Sequence, residues 1–197
     1  MAALRRWRAV GLALACAFAV AACGKPPAQF DSVDITGADY AKDFHLTDAA
    51  GQPRSLADYR GKVVLIFFGY TQCPDICPTT MADLKNVMQT LGPDADRVQV
   101  LFVTLDPARD TGEMLAQYVP SFDKRFVGLR GDEATTARTA KDFKVFYQKV
   151  DGKTPDGYTL DHTAGTYAFD PDGHVRLFIR QSVGAQAIAH DVKLLLG

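Results

Sequence analysis

Cys73 and Cys77 lie in the segment Gly69-Tyr-Thr-Gln-Cys-Pro-Asp-Ile-Cys-Pro-Thr-Thr80, where an apolar run from Val63 to Phe68 gives way to a helix start. Thiols at i and i+4 share one side of a helical backbone. Both sulfurs can therefore reach one metal ion or oxidise to one disulfide. Cys77 precedes Pro78 and is expected at the helix N-cap. There the positive end of the helix dipole lowers the pKa of both thiols and favours thiolate, the form that attacks disulfides and binds metals. Residue chemistry permits both roles. Two thiolates suit a soft ion such as Cu(I) and serve hard Mg or Ca poorly.

Two sulfurs leave a metal site incomplete, and His162 is the best placed of the four histidines to complete it. It stands in Leu160-Asp-His-Thr-Ala164, between a polar loop and a strand expected to begin near Ala164. His45, His174 and His190 read as surface or satisfied histidines. Met81, at i+4 from Cys77, offers a thioether, but core packing is its expected job. Asp106 and Asp161 are candidates for orienting ligands or meeting a partner, although capping and loop solvation account for them nearly as well. Phe68 and Tyr70 are expected in the core or the pocket wall.

The elements that must position these residues follow from periodicity. Residues 24–38, with Pro26 and Pro27, read as a tether, and Phe44–Asp48 with Gly51 and Pro53 as an entrance hairpin. Val63–Phe68 and Val98–Leu105 read as buried strands. A helix follows Pro78, carries Leu84, Val87, Met88 and Leu91 at helical spacing, and stops at Gly92-Pro93. Asp110 with Glu113 suggests a capping box for a second helix bearing Leu115, Tyr118 and Val119. Asp132-Glu133 opens a third, bearing Ala137, Ala140 and Phe143. Val145–Val150 is a further strand candidate, followed by a polar loop to Asp161. Ala164–Phe169 and Val175–Ile179 flank the tight-turn residues Asp170-Pro-Asp-Gly173, and a last helix carries Ile188, Val192 and Leu195. Strands separated by helical crossovers imply an α/β domain, a mixed β-sheet flanked by helices with an N-terminal hairpin extension. With a cysteine motif opening its first helix, that order resembles a thioredoxin-like fold. A ligand then belongs beyond the carboxyl ends of the parallel strands, near Cys73 and the loop after Leu105.

The 197 residues, 47% apolar with net charge −1, suit one globular domain and offer no basic field for nucleic acid. The N-terminus differs in kind. Arg5, Arg6 and Arg8 precede an Ala/Leu/Val-rich stretch from Ala9 to Ala22, shorter than the ~20 residues needed to span a bilayer, which reads as a secretory signal peptide. Val20-Ala-Ala-Cys23 resembles the lipobox of bacterial lipoproteins, in which the cysteine becomes the lipid-modified N-terminus. The expected organisation is 1–22 signal peptide, 23–38 lipidated tether and 39–197 domain, held by acyl chains with no spanning helix. Cys16 then leaves with the signal and Cys23 is lipidated, so Cys73 and Cys77 are the remaining thiols. A disulfide closing so short a loop would stabilise little, which favours a functional pair.

The blocks Phe67–Thr80, Leu105–Thr111, and Asp161–Thr163 with Tyr167 and Asp170–Gly173 resemble the signature of the Sco/SenC copper proteins, in the family's order and over roughly Phe44 to the C-terminus. The resemblance implies a thioredoxin-like fold binding one copper ion, Cu(I) or Cu(II), through Cys73, Cys77 and His162. It also implies a metallochaperone and not an enzyme, with cytochrome c oxidase subunit II as partner: copper is delivered to its binuclear centre, or its cysteines are kept reduced. An upstream periplasmic copper donor and a thiol reductase would be further partners. The location implied is the periplasmic side of a bacterial membrane, with the inner membrane expected, although Gly24 does not decide between the two membranes. Gln72 stands where histidine is common in the family, and many relatives use a transmembrane helix in place of lipid.

The first rival is a thiol–disulfide oxidoreductase using the same two thiols. Against a general one stand the three residues between the cysteines, where thioredoxins carry two, and His162-Thr163 where a cis-proline would be expected. A thiol peroxidase is disfavoured by Gly69 in place of a proline. A copper-responsive sensor would differ in partner more than in site.

Overall fold

The computed structural model describes residues 29–152 and 157–197; the expected signal peptide and lipidation site at Cys23 lie outside them. No helix among the described residues is long and apolar enough to cross a membrane.

The sheet is built around β4 (Val63–Gly69) and β5 (Val98–Thr104), in which every residue is buried. Such continuous burial needs cover on both faces, which a parallel pair under helical crossovers provides. The two strands are parallel, with Phe67 opposite Phe102 and Gly69 opposite Thr104. A third parallel strand, β6 (Val127–Arg130), extends the sheet beside β5. It was not apparent in the sequence because its four residues, one a glycine, carry little pattern. Gly128 faces Leu115 and Val119, and a Cβ there would lie 3.1 Å from each.

The entrance hairpin, β2 (His45–Asp48) and β3 (Pro53–Ser55), pairs onto β6 through β2. On the other side, β9 (Gly165–Phe169) runs antiparallel to β4, and β10 (Val175–Arg180) returns beside it after the Asp170–Gly173 turn. Gly173 has a φ of 75°, which a glycine adopts without strain. A short edge strand, β1 (Val33–Asp34), pairs with β10, and the Asp31 and Ser32 amides donate to the buried Asp191 carboxylate. Those residues, read as tether, are docked on the domain. The order across the mixed sheet is β1-β10-β9-β4-β5-β6-β2-β3.

Helix α1 (Ile76–Leu91) buries Cys77, Met81, Leu84, Val87, Met88 and Leu91 on one stripe and ends at Gly92, whose φ is 57°. It packs against α4 (Ala185–Leu196). The second helix, α2 (Gly112–Tyr118), is capped by Thr111, whose hydroxyl accepts from the Met114 amide. The expected cap, Asp110, is instead a buried carboxylate serving the site. In α3 (Glu133–Asp142), Asp132 caps as expected, but Thr136 and Thr139 are buried with Ala140 while Ala137 is exposed.

The stretch expected as a polar loop from Asp151 to Asp161 contains β8 (Tyr158–His162), which pairs antiparallel with β7 (Tyr147–Asp151) as a separate two-stranded ribbon. Exposed Thr159 and Asp161 alternate with less exposed Tyr158, Leu160 and His162. This is the period of a half-buried strand written in polar residues.

Candidate metal centre

The site grows from the carboxyl ends of β4 and β5. The Leu105 amide donates to Gly69 O at 2.7 Å, so the loops after both strands rise together. The first turns back through Cys73 N–H donating to Tyr70 O. It is tied to the second where the Thr71 amide (3.0 Å) and hydroxyl (2.6 Å), with the Thr104 hydroxyl (2.6 Å), donate to the buried Asp110 carboxylate. Asp75 occupies the N-cap of α1, so Cys77 falls inside its first turn and points into the core. Cys77 is fully buried, whereas Cys73 is partly exposed.

This placement separates the two thiols chemically. Burial opposes ionisation of Cys73, but the backbone amides of Asp75 and Cys77 outweigh it and hold the thiol below its ordinary value. The Cys77 amide is 3.3 Å from Cys73 Sγ. For Cys77 burial outweighs the one lowering contact, with the Tyr70 backbone, and pushes its thiol far up. The expectation that the helix terminus activates both sulfurs therefore holds for Cys73 alone. Cys77 lies two residues beyond the cap and too deep in the core.

His162, at the end of β8, is half-buried, with its ring edge-on to Phe67 and Tyr70. Its Nδ1 lies 3.1 Å from Thr163 O, and since a carbonyl only accepts, Nδ1 carries the proton. That leaves the lone pair on Nε2, which lies 3.5 Å from Cys77 Sγ. Burial lowers the imidazole pKa, against the Thr163 carbonyl and the Asp161 charge, so the ring is held neutral, as a metal requires. The two Sγ atoms and a ring nitrogen all lie within 4.8 Å of one another. An ion bound at about 2.0–2.3 Å from each would space them roughly 3.5–4 Å apart. A small contraction suffices. A cavity of about 350 Å³ beside Cys73, Ile76, Leu160 and His162 gives access.

The remaining expected residues fall differently. Asp161 is exposed and acts on His162 through its charge. Asp106 is buried and accepts from the Tyr158 hydroxyl at 2.7 Å and from Arg109 Nε, so it meets the ribbon that carries His162. Met81 and Phe68 are core, and Tyr70 is wall, its hydroxyl accepting from the Leu160 amide at 3.1 Å. His45 is exposed beside Asp43, while His174 and His190 sit in separate clusters with aspartates. Among the described residues there is no cis peptide bond.

Gly69, read only as a missing proline, has a role of its own. A Cβ at Gly69 would lie 2.9 Å from Cys77 Sγ and 2.9 Å from the Phe67 ring. A glycine closing an otherwise apolar strand is a signal for such close approach. Gly69→Ala is expected to destabilise the fold by about 1–3 kcal/mol by overpacking and to displace Cys77. Denaturant midpoints together with thiol accessibility to an alkylating reagent check this; an unchanged midpoint with Cys77 still protected would refute it.

Fold and site together define a thioredoxin-like domain in which a histidine faces two cysteine sulfurs across the ends of the central strands. A family model described as SCO1/SenC matches residues 33–197, and the chain belongs to that family. It is 37% identical over 153 residues to the mitochondrial SCO2 homolog of Mus musculus, covering 77% of this chain and 60% of that one. The chain thus spans about three fifths of that relative's length. Among solved structures, ScoI of Bradyrhizobium japonicum with copper bound is 40% identical with a TM-score of 0.72, covering 78% of this chain and 98% of that one. Apo Sco1 of Thermus thermophilus is 35% identical with a TM-score of 0.77, covering 87% and 100%.

Proposed function

We propose that this protein is a copper metallochaperone that carries one copper ion on Cys73, Cys77 and His162 and delivers it to the binuclear copper centre of cytochrome c oxidase subunit II. The observation that carries the reading is the convergence of three ligand atoms within 4.8 Å of one another, two of them sulfur. The copper held by the Bradyrhizobium japonicum relative supports the choice of metal. Copper is cargo here. Loading releases the thiol protons, and burial makes Cys77 hold its proton more firmly than Cys73 does. The open side lies at Cys73, on the cavity. There an acceptor thiolate enters, copper is shared between donor and acceptor, and no substrate bond breaks. An upstream periplasmic donor would load the site. Lipidation of Cys23 would hold the domain at the periplasmic face of the inner membrane.

The second reading, reduction of the target's cysteines, is favoured by the contrast between a partly exposed, acidified Cys73 and a buried Cys77. Cys73 thiolate attacks a target disulfide, and one target thiolate leaves. Cys77 then displaces the second, leaving a Cys73–Cys77 disulfide for a thiol reductase to reset.

The deciding experiment is titration of the reduced protein with Cu(I) against a competing chelator. One ion per chain is expected, with the affinity of Cys73→Ser and Cys77→Ser each falling by at least about 100-fold, because a hydroxyl is a poor ligand for a soft ion. Undiminished affinity in both variants would end the chaperone reading.

A further inference from the structure

The ribbon of β7 and β8 is not part of the main sheet, and a two-stranded hairpin is by itself marginally stable in water. What docks it on the body therefore decides where His162 sits. Arg109, in the loop after β5, touches three parts at once. Its Nε pairs with Asp106 in its own loop, and one Nη1 contact reaches Gln72 Oε1, in the cysteine loop, at 3.2 Å. Nη1 also donates to Tyr158 O at 3.0 Å, and the guanidinium lies 3.5 Å from the centroid of the Tyr158 ring. Tyr158 closes the circuit by donating its hydroxyl to Asp106 at 2.7 Å. A planar, permanently charged fork that both stacks and donates is a task lysine cannot perform.

We infer that Arg109, stacked on Tyr158 and paired with Asp106, is a positioning residue that clamps the β7–β8 ribbon over the cysteine loop and so sets whether His162 stands against the sulfurs. Arg109 touches neither the sulfurs nor the imidazole. It acts through Tyr158, four residues along the same strand from His162, and its release would free the histidine arm while leaving both cysteines in place. The copper consequence rests on the metallochaperone reading; the mechanical one does not.

Hydrogen exchange and copper titration of Arg109→Gln test it. Amide exchange over Thr159–His162 is expected to rise tenfold or more, with β4 and β5 unchanged. Tyr158→Phe, which loses only the hydroxyl, should give a smaller rise in the same residues. In copper titration, Arg109→Gln should approach His162→Ala in affinity, and the double variant should lose no more than His162→Ala alone. A rise spread evenly over the main sheet, no rise in either variant, or additive affinity losses would overturn the clamp. If the wild type bound no copper, the function proposed above would fail while the exchange measurement still decided the clamp.

Discussion

Replacing His162 with alanine is expected to weaken copper binding by on the order of 100-fold, about 2.7 kcal/mol, while the dithiol continues to exchange with disulfides near the wild-type rate. The asymmetry follows from the geometry. The imidazole offers its free Nε2 toward Cys77, with Nδ1 committed to Thr163 O, so its loss removes a nitrogen that faces the metal position while the acidified Cys73 that opens exchange is untouched. The amides that acidify Cys73 come from Asp75 and Cys77 on the other side of the site. The pH dependence has a definite sign. Burial lowers the imidazole pKa from 6.5, so protons compete for Nε2 only below the ordinary histidine range. The histidine's share of the affinity should persist as pH falls through 6.5 and disappear at lower pH. Competition titrations across pH, alongside rates with a small disulfide, measure both halves. Unchanged copper affinity in His162→Ala would count heavily for the exchange reading.

How much of this was legible in the sequence depended on how loudly each element speaks. β4 and β5 are buried along their whole length, β4 as an unbroken apolar run and β5 as one interrupted by Gln99 and closed by Thr104, and α1 has a clean stripe and a glycine stop. β6 is too short to show a pattern, and β8 hides its alternation among tyrosine, threonine, aspartate and histidine. The cost of missing β8 was structural understanding and not identity. His162 was found from its place before Ala164, but the strand that holds it, and the clamp on that strand, were invisible.

The convergence of Cys73, Cys77 and His162 was legible because it is carried by residue type, two thiols and an imidazole, in neighbourhoods that match a known family. The acidity of the sulfurs was not. Moving the helix cap back to Asp75 buries Cys77, and desolvation then outweighs any help from the helix dipole there. A cap assigned two residues late thus reverses the chemistry expected of one thiol. Asp106 and Asp110 show the same limit. Asp110 was read as a helix cap, and Asp106 as orienting ligands, meeting a partner or capping, whereas their partners lie on other segments, Tyr158 for Asp106 and Thr71 for Asp110. Sequence spacing reports neighbours within an element and is silent about those brought together by the sheet.

Asp110→Ala should produce the largest stability loss of any single change near the site, about 2–4 kcal/mol. The carboxylate is 1% exposed and accepts from the Thr71 amide, the Thr71 hydroxyl and the Thr104 hydroxyl. Alanine leaves three donors without that acceptor, the Thr104 hydroxyl buried and the Thr71 amide and hydroxyl partly buried. A backbone amide has no alternative rotamer, so Thr71 N–H carries the heaviest share of the penalty, and Thr71 lies two residues before Cys73. For a domain of this size the loss corresponds to roughly 4–16 °C in melting temperature. Asp110→Asn retains one oxygen for that amide and should lose less than half as much. Calorimetry of both variants gives the comparison, and alkylation of Cys73 reports whether the loosened loop carries the sulfur with it. If alanine and asparagine melted alike and close to the wild type, the carboxylate would be spectator to the loop, and the convergence of the cysteine segment with the strand ends would need another cause.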